Sequence, residues 1–140
     1  MTGELLADFH VVGVPMPQGS KRAFVVKGRA VLTDVKGKEL KAWRALVGEC
    51  ASAVFAEAEP VDGPLEVHAR FAFERPKTVT RVWPFRRPVP DVDKLARALL
   101  DGLTRAVFKD DAQVVRLHVE KVYAGQPGAW VRVFRLEGEQ

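Results

Sequence analysis

Residues 90–121 read PDVDKLARALLDGLTRAVFKDDAQVVRLHVEK, and the way this stretch divides decides the fold. Leu95, Leu99 and Leu103 recur at four-residue steps with Lys94, Arg97 and Asp101 between them, which predicts an amphipathic helix over Asp93–Gly102. Gly102 suits a C-terminal stop. Pro90 disfavours helical backbone at Val89 and fixes its own φ, so the helix cannot begin earlier. From Gln113 to Tyr123 the pattern changes to alternation, with Val115, Leu117 and Val119 expected inward on a strand. Acidic pairs mark both junctions: Asp91 before the helix and Asp93 at its first residues, Asp110 and Asp111 before the strand.

The flanking sequence completes the pattern. Asp8–Val14 (DFHVVGV) reads as a first strand and runs into the turn-forming residues Pro15 to Gly19. Ala23–Lys27 and Arg29–Thr33 flank Gly28 as a hairpin. A helix is expected over Val35–Glu57, with Asp34 as N-cap and Leu40, Trp43, Val47, Cys50 and Val54 on its buried stripe. After a turn at 60–64, Leu65, Val67, Ala69, Phe71 and Phe73 alternate with Glu66, His68, Arg70 and Glu74, the mark of a half-buried strand. Ala129–Leu136 forms the last strand, joined to the preceding one as a hairpin. The order predicts one α+β domain over residues 1–140, a mixed sheet with two helices packed on one face. His68, His10 and His118 read as surface histidines rather than ligands or bases, since no second histidine or carboxylate pattern surrounds them in sequence.

At 140 residues, 47% hydrophobic and 29% charged, the chain has the composition of a globular domain with a real core. The N-terminus lacks the basic and apolar regions of a signal peptide, and no apolar run could span a bilayer, so a cytoplasmic setting without membrane partners is expected. A single cysteine, Cys50, excludes an internal disulfide and a thiolate metal cluster; its place on the stripe marks it as packing. Net charge is +4, and its distribution matters more than its size. Arg75 to Pro90 contains Arg75, Lys77, Arg81, Arg86 and Arg87 and no acid; the rest of the chain holds 17 bases against 18 acids. Four prolines and no periodicity mark this stretch as a long loop, a length that tends to be functional. A solvated linker would explain the charge alone, but Trp83 and Phe85 interleave with the cations, and that mixture suits a nucleic-acid backbone and stacked bases.

Carboxylates at element boundaries suit an oxygen-ligand site for Mg²⁺. On a helix, residues i and i+2 point about 200° apart, whereas in an extended or turn conformation at the helix start Asp91 and Asp93 can converge on one point. Capping would account for one of them only. A helix running to residue 108 would be ~24 Å long and would leave Asp111 at its far end, so the pairs could meet only across a subunit interface. Ending near Gly102, at ~15 Å, it leaves enough chain to return within one subunit. Asp101 lies ~12 Å from Asp93 along the axis and reads as the ion-pair partner of Arg97. Arg97 could equally contact a scissile phosphate. DVDK does not end a buried strand as a haloacid-dehalogenase motif would, Leu95 and Gly102 break an EF-hand loop, and no P-loop is present.

Three segments carry a resemblance: Asp91-Val92-Asp93-Lys94, then Leu100-Asp101-Gly102-Leu103, then Asp110-Asp111-Ala112-Gln113-Val114. With Gly13-Val14-Pro15-Met16-Pro17 and the bases Lys21 and Arg22, they resemble the RusA family of Holliday junction resolvases. The resemblance implies a homodimeric, Mg²⁺-dependent endodeoxyribonuclease that makes paired nicks in branched, four-way DNA. It implies metal binding by Asp91, Asp93 and Asp111, with Asp110 beside them, and a catalytic role at Arg97, where the family carries a lysine. Lys94 replaces the asparagine of the family's DxDN motif and is expected on DNA with Lys21, Arg22 and the cations and aromatics of the loop. The rival readings are a non-catalytic junction-binding protein of the same fold and a metal-dependent hydrolase of small phosphoesters.

Overall fold

A strand at the centre of the sheet organises the rest. The computed structural model describes residues 3–19, 21–26, 29–34 and 37–137, with side chains outside 20–36. Its strands are β1 (Glu4–Val12), β2 (Lys21–Val26), β3 (Arg29–Asp34), β4 (Leu65–Phe73), β5 (Val114–Tyr123) and β6 (Gly128–Arg135); its helices are α1 (Gly37–Val54) and α2 (Val92–Leu103). The main sheet runs β1-β6-β4-β5, and β2 and β3 pair separately as the expected hairpin. β6 is antiparallel to both β1 and β4, whereas β5 is parallel to β4. The fold is α+β, a mixed sheet with two helices. Gly28, Val35 and the side chains of Lys21, Arg22 and Asp34 lie outside the described residues.

The expected hairpin between the last two strands does not form. Ala129, Val131 and Val133 of β6 are buried, and burying them places β6 inside the sheet between β1 and β4. β5 takes the opposite edge. A parallel partner for β4 needs a crossover, and the loop plus α2 supplies it. Edge placement also corrects the expected orientation of β5. Leu117, opposite Val67, is 41% exposed, and Val115, where the register slips, is 61% exposed. Only Val119 of the three packs on the core.

The helical periodicity holds. α1 buries Leu40, Trp43, Val47 and Ala51, with Cys50 partly buried against the core. It starts and ends inside its expected limits, so Val54 is exposed. α2 buries Leu95, Ala96, Ala98, Leu99 and Leu103. No helix among the described residues is long and apolar enough to cross a membrane.

Gly102 is not a terminator. The helix continues through it to Leu103, and Thr104 closes it by donating both its backbone N–H (3.0 Å) and its hydroxyl (2.8 Å) to the Leu100 carbonyl. A Cβ at position 102 would meet the Arg44 carbonyl oxygen and the Val47 Cβ at 2.9 Å each. Glycine is there because α1 and α2 touch at that point. On an isolated helix Gly→Ala stabilises by up to ~1 kcal/mol. Here Gly102→Ala is expected to destabilise by about 1–3 kcal/mol through overpacking, read as a lower urea midpoint with an unchanged slope.

Candidate functional site

The start of α2 presents two carboxylates to solvent. Asp91 has extended backbone (φ −66°, ψ 140°) at the N-cap, and its carbonyl accepts the first helical bond from Leu95 N–H at 3.1 Å. Its carboxylate makes no capping bond and lies 3.9 Å from Lys94 Nζ. Asp91, Asp93 and Arg97 are all exposed. Two anchors fix this turn: Gln18 N–H donates to the Lys94 carbonyl (2.9 Å), and Lys121 Nζ on β5 donates to the Pro90 carbonyl (2.8 Å). The backbone is tied on both sides, leaving the carboxylates facing solvent.

Asp110 and Asp111 lie at the other end. Val107 and Phe108 are fully buried, and Val61 N–H donates to the Val107 carbonyl at 2.9 Å. That burial folds residues 104–108 beneath the end of α2, with Arg105 at φ 75°, instead of letting them extend back along it. Asp110 then caps a single 3₁₀ turn over Asp111–Gln113, its carboxylate accepting Ala112 N–H at 2.9 Å. Gln113 pins the turn with four bonds. Its Oε1 accepts from Lys109 N–H (3.0 Å) and Asp110 N–H (2.9 Å), while Nε2 donates to the carbonyls of Val61 (2.9 Å) and Gly63 (3.0 Å). Asp110 is thus partly committed as a cap, and Asp111 is exposed.

Asp101, Thr104, Arg105, Lys109, Asp110 and Asp111 line a recess of about 470 Å³. Asp101 therefore neighbours the downstream pair. Its ion-pair partner is Arg44 on α1, at 3.5 Å, not the expected Arg97.

The two acidic pairs do not meet in one subunit. α2 has 12 residues, a rise of ~18 Å. From Val114 to Lys121, whose amine reaches Pro90, β5 covers a comparable ~23 Å. Among the described residues, no group of three metal-ligating side chains within reach of one ion includes Asp91, Asp93 or Asp111. The helix is as short as a single-chain site required, yet the chain does not return.

The basic loop follows β4 and leads into Asp91. Pro84 is buried between Trp83 (56% exposed) and Phe85 (64% exposed). The guanidinium groups of Arg81 and Arg86 lie 5.7 and 5.4 Å from the centre of the Phe85 ring, and Arg75 lies 5.9 Å from that of Tyr123. Backbone turns at Val79, Phe85 and Val89 brace the loop, and Arg75 donates to the Arg81 carbonyl at 3.3 Å. Lys77 and Arg87 are exposed. The result is an exposed Phe85 ring flanked by two guanidinium groups, with Trp83 exposed nearby in sequence, in a loop that leads into Asp91.

The sequence model of the endodeoxyribonuclease RusA matches residues 13–134, which takes in the proline-rich turn, the loop and both acidic pairs. The chain belongs to the RusA endodeoxyribonuclease family. An uncharacterized protein of Bacillus subtilis (strain 168), YqaN, is 29% identical over 136 residues, spanning 89% of this chain and 93% of its own. Membership implies a metal-dependent nuclease of DNA junctions. The donors at hand fit that metal in kind: Asp91, Asp93 and Asp111 offer exposed carboxylate oxygens, the hard ligands Mg²⁺ prefers.

One constellation escaped the sequence of this RusA-family chain. Glu66, His68 and His118 converge on the open face of the sheet, each offering a ligand atom within 4.8 Å of the others. His68 Nε2 lies 2.6 Å from Glu66 Oε2, and His118 Nε2 lies 3.6 Å from the same oxygen. The bond from His68 is the largest influence on Glu66 and lowers its pKa; burial opposes it, and the charges of His68, Arg116 and His118 support it, leaving the carboxyl below its ordinary value. His68 and His118 are therefore not isolated surface residues, and His10 stacks on Trp130 with ring centroids 4.2 Å apart. Glu-x-His on β4 was a signal in the sequence. Its partner on β5 could be found only by knowing that the two strands run parallel.

Gln113 holds Asp111 in place, so Gln113→Ala is expected to loosen that turn first. Each hydrogen bond removed carries about 1 kcal/mol. Amide exchange at Ala112 and Gln113 should accelerate at least about tenfold, while exchange in β6 should change only as far as global stability does.

Proposed function

We propose that the chain is a metal-dependent, structure-selective endodeoxyribonuclease that resolves four-way (Holliday) DNA junctions by paired nicking. It would act as a homodimer whose two sites are each shared between subunits. The observation that carries this reading is the placement of Asp91 and Asp93 at one end of α2 and Asp111 at the other, all exposed, in a chain of this family.

A second copy supplies what one chain lacks. β5 is an edge strand with an exposed Val115 and Leu117. Asp111 lies at its start, and Lys121, bonded to the carbonyl beside Asp91, lies near its end. Two copies of β5 paired antiparallel about a two-fold axis would set the start of each strand against the end of the other, ~5 Å away across the ladder. Asp111 of one protomer then joins Asp91 and Asp93 of its partner, twice, matching two symmetric cuts.

In that site Asp91, Asp93 and Asp111 would hold Mg²⁺, which when bound activates water and stabilises charge on the phosphate. Lys94, beside Asp91, and Arg97, one turn along α2, would contact the scissile phosphate and the departing oxygen. The cations of the loop would track the junction backbone, with Trp83 and Phe85 stacking on bases opened at the branch point.

Mixing tests the shared site. Asp93→Asn and Asp111→Asn proteins should each lose nicking of a synthetic four-way junction by at least about 100-fold, yet bind it in EDTA. A heterodimer of the two has one intact site, so refolding them together should restore single-strand nicking. Silence in the mixture would place the three aspartates within one subunit. Junction binding by wild type without any cleavage would favour the non-catalytic reading. For the loop, Arg81→Ala with Arg86→Ala should reduce the salt dependence of junction binding, by about 0.9 in log–log slope for each phosphate no longer neutralised. Trp83→Ala should weaken binding by about 1–3 kcal/mol if a base stacks there.

A further inference from the structure

The geometry points to a second metal site: Glu66, His68 and His118 form a binding site for a transition-metal ion of the zinc class, separate from the aspartates.

The backbone builds the site. β4 and β5 run parallel with His68 and His118 as Cα partners, so the imidazoles rise side by side from neighbouring strands. Glu66, two residues before His68, projects from the same face. The ring centroids lie 4.7 Å apart. Ligand atoms within 4.8 Å of one another need only small side-chain adjustments to share an ion at the ~2.0–2.2 Å bonds of zinc.

Glu66 is the second, independent indication. Among the described residues outside 20–36 it is the only buried polar or charged residue, at 3% exposure. Its Oε1 has no hydrogen-bond partner. A buried carboxylate oxygen left without one is costly, and a coordinated cation is one way to satisfy it. His68 and His118 stand at the mouth, with side chains 38% and 63% exposed, so an ion can enter. Beyond them opens a cleft of about 460 Å³ bordered by Arg70, Trp130 and Arg132, with room for a fourth ligand.

The donor set chooses the ion. Two imidazoles and one carboxylate with an open position form a zinc-type arrangement, and nitrogen ligands disfavour Mg²⁺ and Ca²⁺. Arg116 opposes the site, since its Nη1 lies 3.6 Å from Glu66 Oε1, but its side chain is 52% exposed and can yield. An ion at His68 Nε2 would take the place of the hydrogen shared with Glu66, and the neutral ring would then carry its hydrogen on Nδ1. The bound ion would clamp edge strand β5 to β4.

Calorimetric titration of Zn²⁺ into the chelator-stripped full chain, with excess Mg²⁺ present, tests the assignment. The expected result is one Zn²⁺ per chain for wild type and for Asp93→Asn. His118→Ala and His68→Ala should each weaken binding by at least about 100-fold, no less than the loss outer-shell substitutions bring. His118 is exposed on an edge strand, so its truncation leaves the fold intact; a zinc-dependent rise in melting temperature should appear in wild type and vanish in that variant. Equal zinc binding by wild type and both histidine variants would overturn the proposal. So would binding abolished by Asp93→Asn, or no binding by folded wild type.

Discussion

The parallel pairing of β4 with β5 is the constraint on which the rest of the molecule depends. Parallel neighbours must be joined by a crossover that carries the chain from the end of one strand to the start of the next. Here the crossover is the basic loop, α2 and the 3₁₀ turn, so α2 runs opposite to both strands. The acidic residues before and after the helix are therefore driven to opposite ends of the sheet. The same pairing puts His68 beside His118. One topological choice divides one set of candidate ligands and assembles another.

Hydrogen bonds and burial hold both ends of that division. Lys121 and Gln18 hold the start of α2 by its backbone, and Gln113 holds the 3₁₀ turn to the segment before β4. Val107 and Phe108, fully buried, block any return of residues 104–108 along the helix. At Gly102 α1 and α2 approach so closely that there is no room for a Cβ. In the proposed nuclease a partner would therefore have to bring Asp111 to Asp93.

What was legible in the sequence was local. The stripes of α1 and α2, the alternation of β4 and the exposed loop all follow from side-chain periodicity, which short-range geometry converts into structure. What was not legible depended on which strands pair. Residues 114–135 contain two strands and a tight turn, the usual pattern of a hairpin, but the small buried residues of β6 pull it into the sheet between β1 and β4. That exchange exposes Leu117 and joins His118 to Glu66 and His68. Gly102 looked like a stop because glycine ends helices more often than it relieves a helix–helix clash; the second reason needs the neighbouring helix to be known. Asp110 and Asp111 are both exposed, and what the resemblance did not reveal is that Asp110 caps the 3₁₀ turn through Ala112 N–H.

Charge at the start of α2 explains why metal binding and dimerisation should be coupled in the proposed nuclease. Asp91 and Asp93 carry two full negative charges, but Lys94 lies 3.9 Å from Asp91. The helix N-terminus adds roughly half a positive charge. One subunit alone therefore offers a divalent cation only about half a net negative charge, in water, with two ligands. Asp111 from a partner brings a third oxygen ligand and roughly triples the local negative charge. The ion would then bind the dimer far better than the monomer, and by linkage would favour the dimer to the same degree. Cutting chemistry would in that case be confined to the state that holds two sites at once, the state a symmetric junction requires.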